Sequence, residues 1–274
     1  MTIEERQRRV VITGASGRLG KLLQEHLGRS NRYDLILIDR AADAEPSVHG
    51  ADLSKFSSDW GGLFEGADAV VHLAGDPGRS PAPWPQLVAD NVEATQNVYH
   101  AAAMNAVPRV VYASTLQTME GYRFSGGPIA GDAPARPVVP YAATKLIGES
   151  VAKYFSEAHG ISSICLRIGS VPSTPTETGK DWTAWRHSKW LSAEDLCDAF
   201  EKAILAEDVP FAALTLVSNN AGMRWDLSET RRILGYSPPE GTRLPSSSAL
   251  SGVRSTLGMF YKRFFDRAWR HYWN

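Results

Sequence analysis

Residues 10–20 read Val-Val-Ile-Thr-Gly-Ala-Ser-Gly-Arg-Leu-Gly, a β-branched run that leads directly into three glycines spaced three apart. The run predicts a buried strand, and the leucines between Leu19 and Leu27 repeat at the spacing of a helix. Gly14 allows a sharp turn, Gly17 allows backbone N–H groups to approach a pyrophosphate, and Gly20 allows close packing of the helix on the sheet. The N–H groups and positive dipole at the helix start favour phosphate oxygens.

An acidic residue follows this motif at the distance expected for a dinucleotide site. Asp39 comes after a second apolar run at 35–38, 19 residues beyond Gly20. An acid at this place binds the adenosine ribose hydroxyls. Its charge repels a 2′-phosphate, which favours NAD over NADP, although Arg18 and Arg40 could hold that phosphate instead. A glycine-rich turn without a ligand is the alternative.

The rest of the chain alternates short apolar runs with helical stretches. Further strands are predicted at 69–73, 109–113, 161–168 and 213–217, and further helices at 87–104, 141–158, 193–205 and 227–234. This alternation predicts an α/β fold, a Rossmann-type doubly wound parallel sheet with a small C-terminal substrate-binding annex. We expect a dinucleotide-binding domain over residues 1–170. Residues 171–274 would supply substrate-binding segments and a helical tail, intertwined with the first domain.

Tyr141 and Lys145 predict a catalytic pair, because residues four apart share one face of a helix. A tyrosine hydroxyl is a poor base at neutral pH, but a nearby ammonium favours its phenolate form. Such a tyrosine can take the proton of a substrate hydroxyl during oxidation. Ser114 ends a predicted strand and is placed to donate a hydrogen bond to the same oxygen. The alternative is a solvated helix face.

These motifs together resemble the extended short-chain dehydrogenase/reductase superfamily. The resemblance rests on the glycine spacing, on His72-Leu-Ala-Gly75, and on Ser114, Tyr141 and Lys145. It implies that Asn91 supports the proton relay and that Lys145 also holds the nicotinamide ribose. The residues expected to contact the dinucleotide are Gly14, Ser16, Gly17, Arg18, Leu19, Gly20, Asp39, Arg40, Asp52, Leu53, Leu73, Ala74, Gly75, Asn91, Tyr141, Lys145 and Ile168.

A closer resemblance is to the uronate dehydrogenase group. It is carried by Leu-Arg-Ile-Gly-Ser at 166–170, by Trp-Leu-Ser-x-x-Asp at 190–195 and by the stretch 218–228. It implies NAD-dependent hydride transfer from the anomeric carbon of a free uronate or aldose, giving a lactone. The chain departs from the group at Leu116 and Gln117, where the group has Asn-His. Substrate contacts are expected from Ser114, Thr115, Gln117, Tyr141, Ser170 and Arg186, with Lys180 as an alternative carboxylate-binding residue to Arg186.

The segment 171–190 contains Trp182, Trp185 and Trp190 and allows two interpretations. The tryptophans could form a lid that stacks on a sugar, with Arg186 and its neighbours supplying polar contacts. They could equally anchor an ordinary surface segment to the core.

Composition excludes several other classes of protein. The net charge of −1 gives no basic field for nucleic acid, and Cys165 and Cys197 have no metal or redox spacing. We therefore expect no metal and no nucleic-acid partner. The resemblance implies a carbohydrate substrate, and we also expect a homo-oligomer in the cytoplasm. The tail at 252–272 is aromatic and basic and predicts an amphipathic helix. It would pack on its own domain or a second subunit rather than on a membrane.

Two other functions use the same motifs. A sugar-nucleotide epimerase or dehydratase has the same Ser-Tyr-Lys site, but usually a larger C-terminal domain. A non-catalytic dinucleotide-sensing protein has no need of an intact proton relay, so Ser114, Tyr141 and Lys145 argue against it.

Overall fold

A seven-stranded parallel sheet forms the centre of the computed structural model, which describes residues 6–41, 46–77, 82–172, 183–239 and 241. The strands are β1 (Arg8–Thr13), β2 (Tyr33–Asp39), β3 (Val48–Gly50), β4 (Ala69–His72), β5 (Arg109–Thr115), β6 (Ser162–Ile168) and β7 (Phe211–Leu216). Their order is β3-β2-β1-β4-β5-β6-β7. The predicted Rossmann-type doubly wound fold is therefore confirmed.

Helices connect the strands on both faces of this sheet. They are α1 (Arg18–Gly28), α2 (Ser58–Gly61), α3 (Trp84–Val88), α4 (Ala94–Met104), α5 (Pro140–His159), α6 (Ala184–Ser188), α7 (Ala193–Leu205) and α8 (Ser228–Leu234). The single helix predicted at 87–104 contains a π-helical turn at Ala89–Glu93, which joins α3 to α4. A 3₁₀ helix at Leu116–Tyr122 follows β5.

The strands are apolar throughout because both faces of the sheet are covered. Alternate residues of β1 point to opposite faces, so Val10 packs in the cluster that includes Leu23 of α1. Val11 packs on the other face, in the cluster that includes Val98 and Tyr99 of α4. Two separate apolar layers therefore hold the sheet between the helices.

The strand order reverses between β1 and β4, and the carboxyl ends of these strands open a crevice at this point. β7 lies beyond residue 170 in the chain, yet it pairs with β6 in the same sheet. The C-terminal segments are thus joined to the cofactor fold through the sheet itself.

Among the described residues, no helix is both long and apolar enough to cross a membrane. The tail at 252–272, Lys180 and Trp182 lie outside the described residues. The tail helix and the homo-oligomer stay predictions.

Candidate active site

The glycine turn after β1 forms a cradle that side chains would fill. Gly14 has a φ of +74°, and a Cβ there would lie 2.6 Å from the backbone nitrogen of Ala74. A Cβ on Gly20 would lie 2.4 Å from the carbonyl oxygens of Gly14 and Ala15. Gly20 is therefore required by the turn itself. The cradle fits a dinucleotide whose phosphates approach the backbone closely.

One half of the crevice is a cavity of about 570 Å³ beside this turn, with Asp39 at its edge. Asp39 accepts hydrogen bonds from the backbone N–H groups of Ser16, at 2.9 Å, and Ala41, at 3.0 Å. These bonds fix the carboxylate where β2 ends. The acidic residue thus lies beside the glycine turn, as the sequence predicts for a ribose-binding group.

The two arginines that could hold a 2′-phosphate are engaged elsewhere. Arg40 pairs with Asp90 and donates to Asp52 at 3.3 Å, and its hydrogen bond to Asp90 raises its pKa. Arg18 donates to the carbonyl oxygens of Val171, at 3.1 Å, and Pro172. Carboxylates neutralise the charge of Arg40, and backbone carbonyl oxygens bind the guanidinium group of Arg18. Both arrangements favour NAD over NADP.

The other half of the crevice is an adjoining cavity of about 440 Å³ that shares Gly14, Gly17 and Gly75 with the first. Its lining includes Tyr141 and Lys145, which lie one turn apart near the start of α5. Burial lowers the pKa of Lys145 to about 8. The ammonium lies 4.9 Å from the centre of the Tyr112 ring, which favours its charged form. The predicted catalytic pair therefore faces the cavity.

Ser114 lines the same cavity, but its proton is donated elsewhere. Its Oγ lies 2.6 Å from Oε1 of Glu149, and a carboxylate oxygen can only accept. Arg167 donates to both oxygens of Glu149, at 2.9 and 2.7 Å. Burial lowers the pKa of Arg167, but hydrogen bonds and charge from Glu149 raise it overall. Arg167 is thus a structural ion-pair residue, and the donation of a hydrogen bond from Ser114 to a substrate oxygen stays a prediction.

Asn91 lies in the π-helical turn, behind the cavity. Its Nδ2 donates to Oγ1 of Thr144 at 3.1 Å, while its buried Oδ1 has no hydrogen-bond partner among the described residues. A Cβ on Gly75 would lie 2.5 Å from this oxygen and 3.5 Å from Nζ of Lys145. Asn91 therefore lies in the same small region as the lysine, consistent with support of a proton relay.

His72 is a buried residue at the end of β4, three residues before Gly75. Its two ring nitrogens lie 2.7 Å from Oγ1 of Thr13 and 3.0 Å from Oγ1 of Thr95. Burial lowers the pKa of His72 to about 3, so the ring is neutral. It holds the end of β4 in place, and as a neutral ring it does not act as a general acid at neutral pH.

The start of the 3₁₀ helix after β5 forms the part of the cavity wall where substrate contacts are predicted. Gln117 lines it, and its backbone N–H is capped by Oγ1 of Thr115 at 3.2 Å. Leu116 is buried in the core at 1% exposure. Of the two positions where the chain departs from the pattern of the uronate dehydrogenase group, Gln117 lines the cavity and Leu116 does not.

Trp185, in the segment between β6 and α7, anchors that segment and is not on the cavity walls. Trp185 donates from Nε1 to Glu120 at 2.7 Å and packs against Trp225 at a centroid distance of 5.1 Å. Lys189 pairs with the other oxygen of Glu120 at 2.7 Å. For Trp185 the anchoring interpretation is favoured over the sugar-stacking lid.

Most predicted contacts lie on the walls of the two cavities. They are Gly14, Ser16, Gly17, Arg18, Leu19, Gly20, Asp39, Arg40, Leu53, Leu73, Ala74, Gly75, Ser114, Thr115, Gln117, Tyr141, Lys145 and Ile168. Asp52, Asn91, Ser170 and Arg186 are not on these walls. Ser170 is instead held by backbone hydrogen bonds with Lys189 and Leu191, and Arg186 is exposed on α6.

Sequence reasoning missed several wall residues, including Ala41, Ala51, Asp76, Pro77, Asp90, Ala94, Ala113, Gly169 and Val171. Most are small residues next to a predicted one, so proximity along the chain was the available signal. For Asp90 the signal in the sequence was stronger, because Asp90 is acidic and directly precedes Asn91.

A family model described as the NAD dependent epimerase/dehydratase family matches residues 10–187. The chain belongs to this family. It is therefore an enzyme that uses NAD, and the predicted superfamily and cofactor are confirmed.

Relatives and solved structures agree with this assignment. The NAD-dependent glucose-6-phosphate dehydrogenase of Haloferax volcanii is 28% identical, over 85% of this chain and 94% of that protein. The uronate dehydrogenase of Pseudomonas syringae pv. tomato is 30% identical, over 86% of this chain and 83% of that protein. The crystal structure of glucuronic acid dehydrogenase from Chromohalobacter salexigens has a TM-score of 0.73 at 26% identity, covering 93% of this chain and 90% of that one. The chain is similar to NAD-dependent sugar dehydrogenases.

Replacing Gly20 by alanine should impair the cradle. The new Cβ would meet two backbone carbonyl oxygens at 2.4 Å, so the turn must open. We expect the free energy of unfolding to fall by about 1–3 kcal/mol and the Kd for NAD to rise at least about tenfold. Gly28→Ala is the matched control, because a Cβ there meets nothing within 4 Å. Calorimetric binding and thermal unfolding measure both effects, and unchanged NAD affinity in Gly20→Ala would contradict the role of the cradle.

Replacing Asp39 by alanine should weaken the preference for NAD. The change removes the charge that repels a 2′-phosphate and the acceptor that holds the Ser16 and Ala41 N–H groups. We expect the ratio of NADP Kd to NAD Kd to fall about tenfold or more, since hydrogen bonds to a charged group contribute about 1.5–3 kcal/mol. Asp34→Ala on the same strand is the control, because Asp34 is exposed and is not on the cavity wall. An unchanged ratio would show that Asp39 does not discriminate.

Proposed function

We propose that this enzyme oxidises the anomeric carbon of a free aldose or uronic acid to a lactone, with NAD as the oxidant. The observation that carries the proposal is that Tyr141, Lys145 and Ser114 share one cavity that adjoins the glycine cradle. The names of the relatives support it, because they describe dehydrogenases of a sugar phosphate or a sugar acid. Their matches span most of both chains, so they extend into the C-terminal segments that we propose to contact the substrate.

The residues that would hold NAD are those of the two cavity walls, from the glycine turn to Lys145. The chemistry that NAD would supply when bound is the acceptance of a hydride from the C1–H bond. Tyr141 takes the proton of the anomeric hydroxyl as the O–H bond breaks and the C1=O bond of the lactone forms. Lys145 stabilises the phenolate form of Tyr141 through its charge. A hydride, which is one proton with two electrons, thus leaves C1 and one proton leaves the hydroxyl, which balances the two-electron oxidation.

Gln117 and Thr115 are the residues we propose to contact sugar hydroxyls, because they lie on the wall next to Ser114. An amide both donates and accepts hydrogen bonds, which suits hydroxyl groups, but it brings no charge for a carboxylate. Arg186 was predicted for that carboxylate, yet it is not on the wall of the described cavity. We therefore propose a substrate range that includes neutral aldoses as well as uronic acids.

The test is a screen of purified enzyme with NAD against uronic acids and neutral aldoses, read as the absorbance of NADH. Formation of NADH together with a lactone supports the proposal. A sugar-nucleotide epimerase or dehydratase would instead change a nucleotide sugar with no net NADH. A dinucleotide-sensing protein would bind NAD and turn over none of these compounds.

A further inference from the structure

Asp90 and Asn91 are neighbours in the π-helical turn, but their side chains contribute to different parts of the crevice. Asn91 donates to Thr144 on α5, behind the cavity that contains the catalytic pair. Asp90 is instead on the wall of the cavity beside the glycine turn, which also includes Asp39 and Arg40. Because successive residues of a helix point in different directions, this one turn reaches both cavities.

Asp90 holds the guanidinium group of Arg40 in an ion pair that connects the π-helical turn to the end of β2. The side chain of Asp90 is 11% exposed and that of Arg40 is 58% exposed, so the arginine extends over the surface to meet a carboxylate that the fold holds in place. Asp52 is a second acceptor at 3.3 Å, but it also accepts hydrogen bonds from the backbone N–H and the hydroxyl group of Ser54. Asp90 is therefore the main acceptor for Arg40.

Arg40 directly follows Asp39, the residue that is placed to bind the ribose hydroxyls of adenosine. In dinucleotide sites, an arginine near this acidic residue accommodates the 2′-phosphate of NADP. A guanidinium group suits this task, because its planar N–H groups match two phosphate oxygens at once. Arg40 thus has the chemistry and the place to bind a 2′-phosphate, and its ion pair with Asp90 decides whether it does so.

We infer that Asp90 is a positioning residue for cofactor selection, which engages Arg40 so that the arginine does not bind the 2′-phosphate of NADP. The repulsion by Asp39 and the engagement of Arg40 by Asp90 are then two separate causes of the preference for NAD. A partly exposed ion pair contributes about fivefold or less to an equilibrium constant, so the loss of one carboxylate is enough to release the arginine. This role concerns cofactor binding alone and does not depend on which substrate the enzyme oxidises.

The first experiment is Asp90→Ala, with the Kd of NAD and of NADP measured by calorimetric titration. We expect the ratio of NADP Kd to NAD Kd to fall about three- to fivefold, which is the strength of the ion pair that is lost. Adenosine 2′,5′-bisphosphate should gain affinity relative to AMP by a similar factor, because these two probes differ only in the 2′-phosphate. Glu93→Ala is the matched control, since Glu93 is an exposed acidic residue of the same turn and is not on the walls of the two cavities.

The second experiment adds Arg40→Met to Asp90→Ala, which removes the group that is inferred to bind the 2′-phosphate. The ratio of NADP Kd to NAD Kd should then return at least to the wild-type value. A double variant that keeps the whole gain of Asp90→Ala would show that Asp90 acts by its own charge and not through Arg40. That result would overturn the positioning role.

Damage to the π-helical turn gives a different pattern from the release of Arg40. A disturbed turn weakens NAD and NADP by the same factor, so the ratio of their Kd values stays unchanged. An unchanged ratio in Asp90→Ala, with or without a loss of affinity for both dinucleotides, would contradict the role of Asp90. Failure of the proposed function does not produce that result, because these titrations contain no sugar and require no turnover.

Discussion

Tyr141→Phe should lower kcat/KM for sugar oxidation about 10³-fold, within the range that general acid–base catalysis contributes. Tyr141 lies on the cavity wall beside Lys145, and phenylalanine keeps the ring but lacks the oxygen that takes the proton. The cradle and Asp39 are untouched, so the Kd for NAD should stay within about twofold of the wild-type value. Steady-state kinetics and calorimetric titration with NAD check the two expectations.

Tyr154→Phe is the control for this change. Tyr154 is on the same helix, but it is 55% exposed and is not on the cavity walls. Its kinetics should match those of the wild-type enzyme. If Tyr141→Phe retains more than about a tenth of the activity, another residue takes the proton and the assigned role is wrong.

Lys145→Met should abolish most activity and at the same time stabilise the fold. Activity should fall about 10²-fold or more, because the charge that favours the phenolate is lost. Burial lowers the pKa of Lys145 from 10.5 to about 8, so the folded enzyme at neutral pH holds a proton that burial disfavours. Methionine has no such cost, and we expect the free energy of unfolding to rise by about 3 kcal/mol at neutral pH.

The pH dependence of this stability gain tests its cause. Between pH 8 and 10.5 the unfolded chain binds more protons at Lys145 than the folded one does. The wild-type enzyme therefore gains stability as pH rises through this window, since stability increases wherever the unfolded state binds more protons. The advantage of Lys145→Met should be full below pH 8 and should shrink towards pH 10.5.

Lys153→Met on the same helix is the control, because Lys153 is exposed and pairs only with Glu157 among the residues described. Urea unfolding of both variants at several pH values gives the comparison. A stability difference for Lys145→Met that does not change with pH would mean that apolar packing, and not the buried charge, causes it.

Much of the fold could be predicted because its strongest signals are local. The apolar run before Gly14 and the leucines of α1 are adjacent in the chain. The strands are apolar because helices cover both faces of the sheet. β3 and α2 were missed because three or four residues give no period to detect. The π-helical turn at Asn91 was missed because a single inserted residue hardly disturbs the spacing of a long helix.

The site was predictable where a motif lies within one segment, and less so where segments meet. Tyr141 and Lys145 were found from their spacing on one helix. The bond from Ser114 to Glu149 depends on the register of two strands and on the face of α5 beside them. No pattern within one segment shows that contact, nor the pairing of Arg40 with Asp90 across the cavity.

The most direct test of the central claim is the formation of NADH by the purified wild-type enzyme with NAD and each of a panel of aldoses and uronic acids. The account predicts that at least one of these sugars yields NADH and a lactone in equal amounts, and that Tyr141→Phe removes this signal while still binding NAD. An enzyme that binds NAD but forms no NADH with any aldose or uronic acid would contradict it.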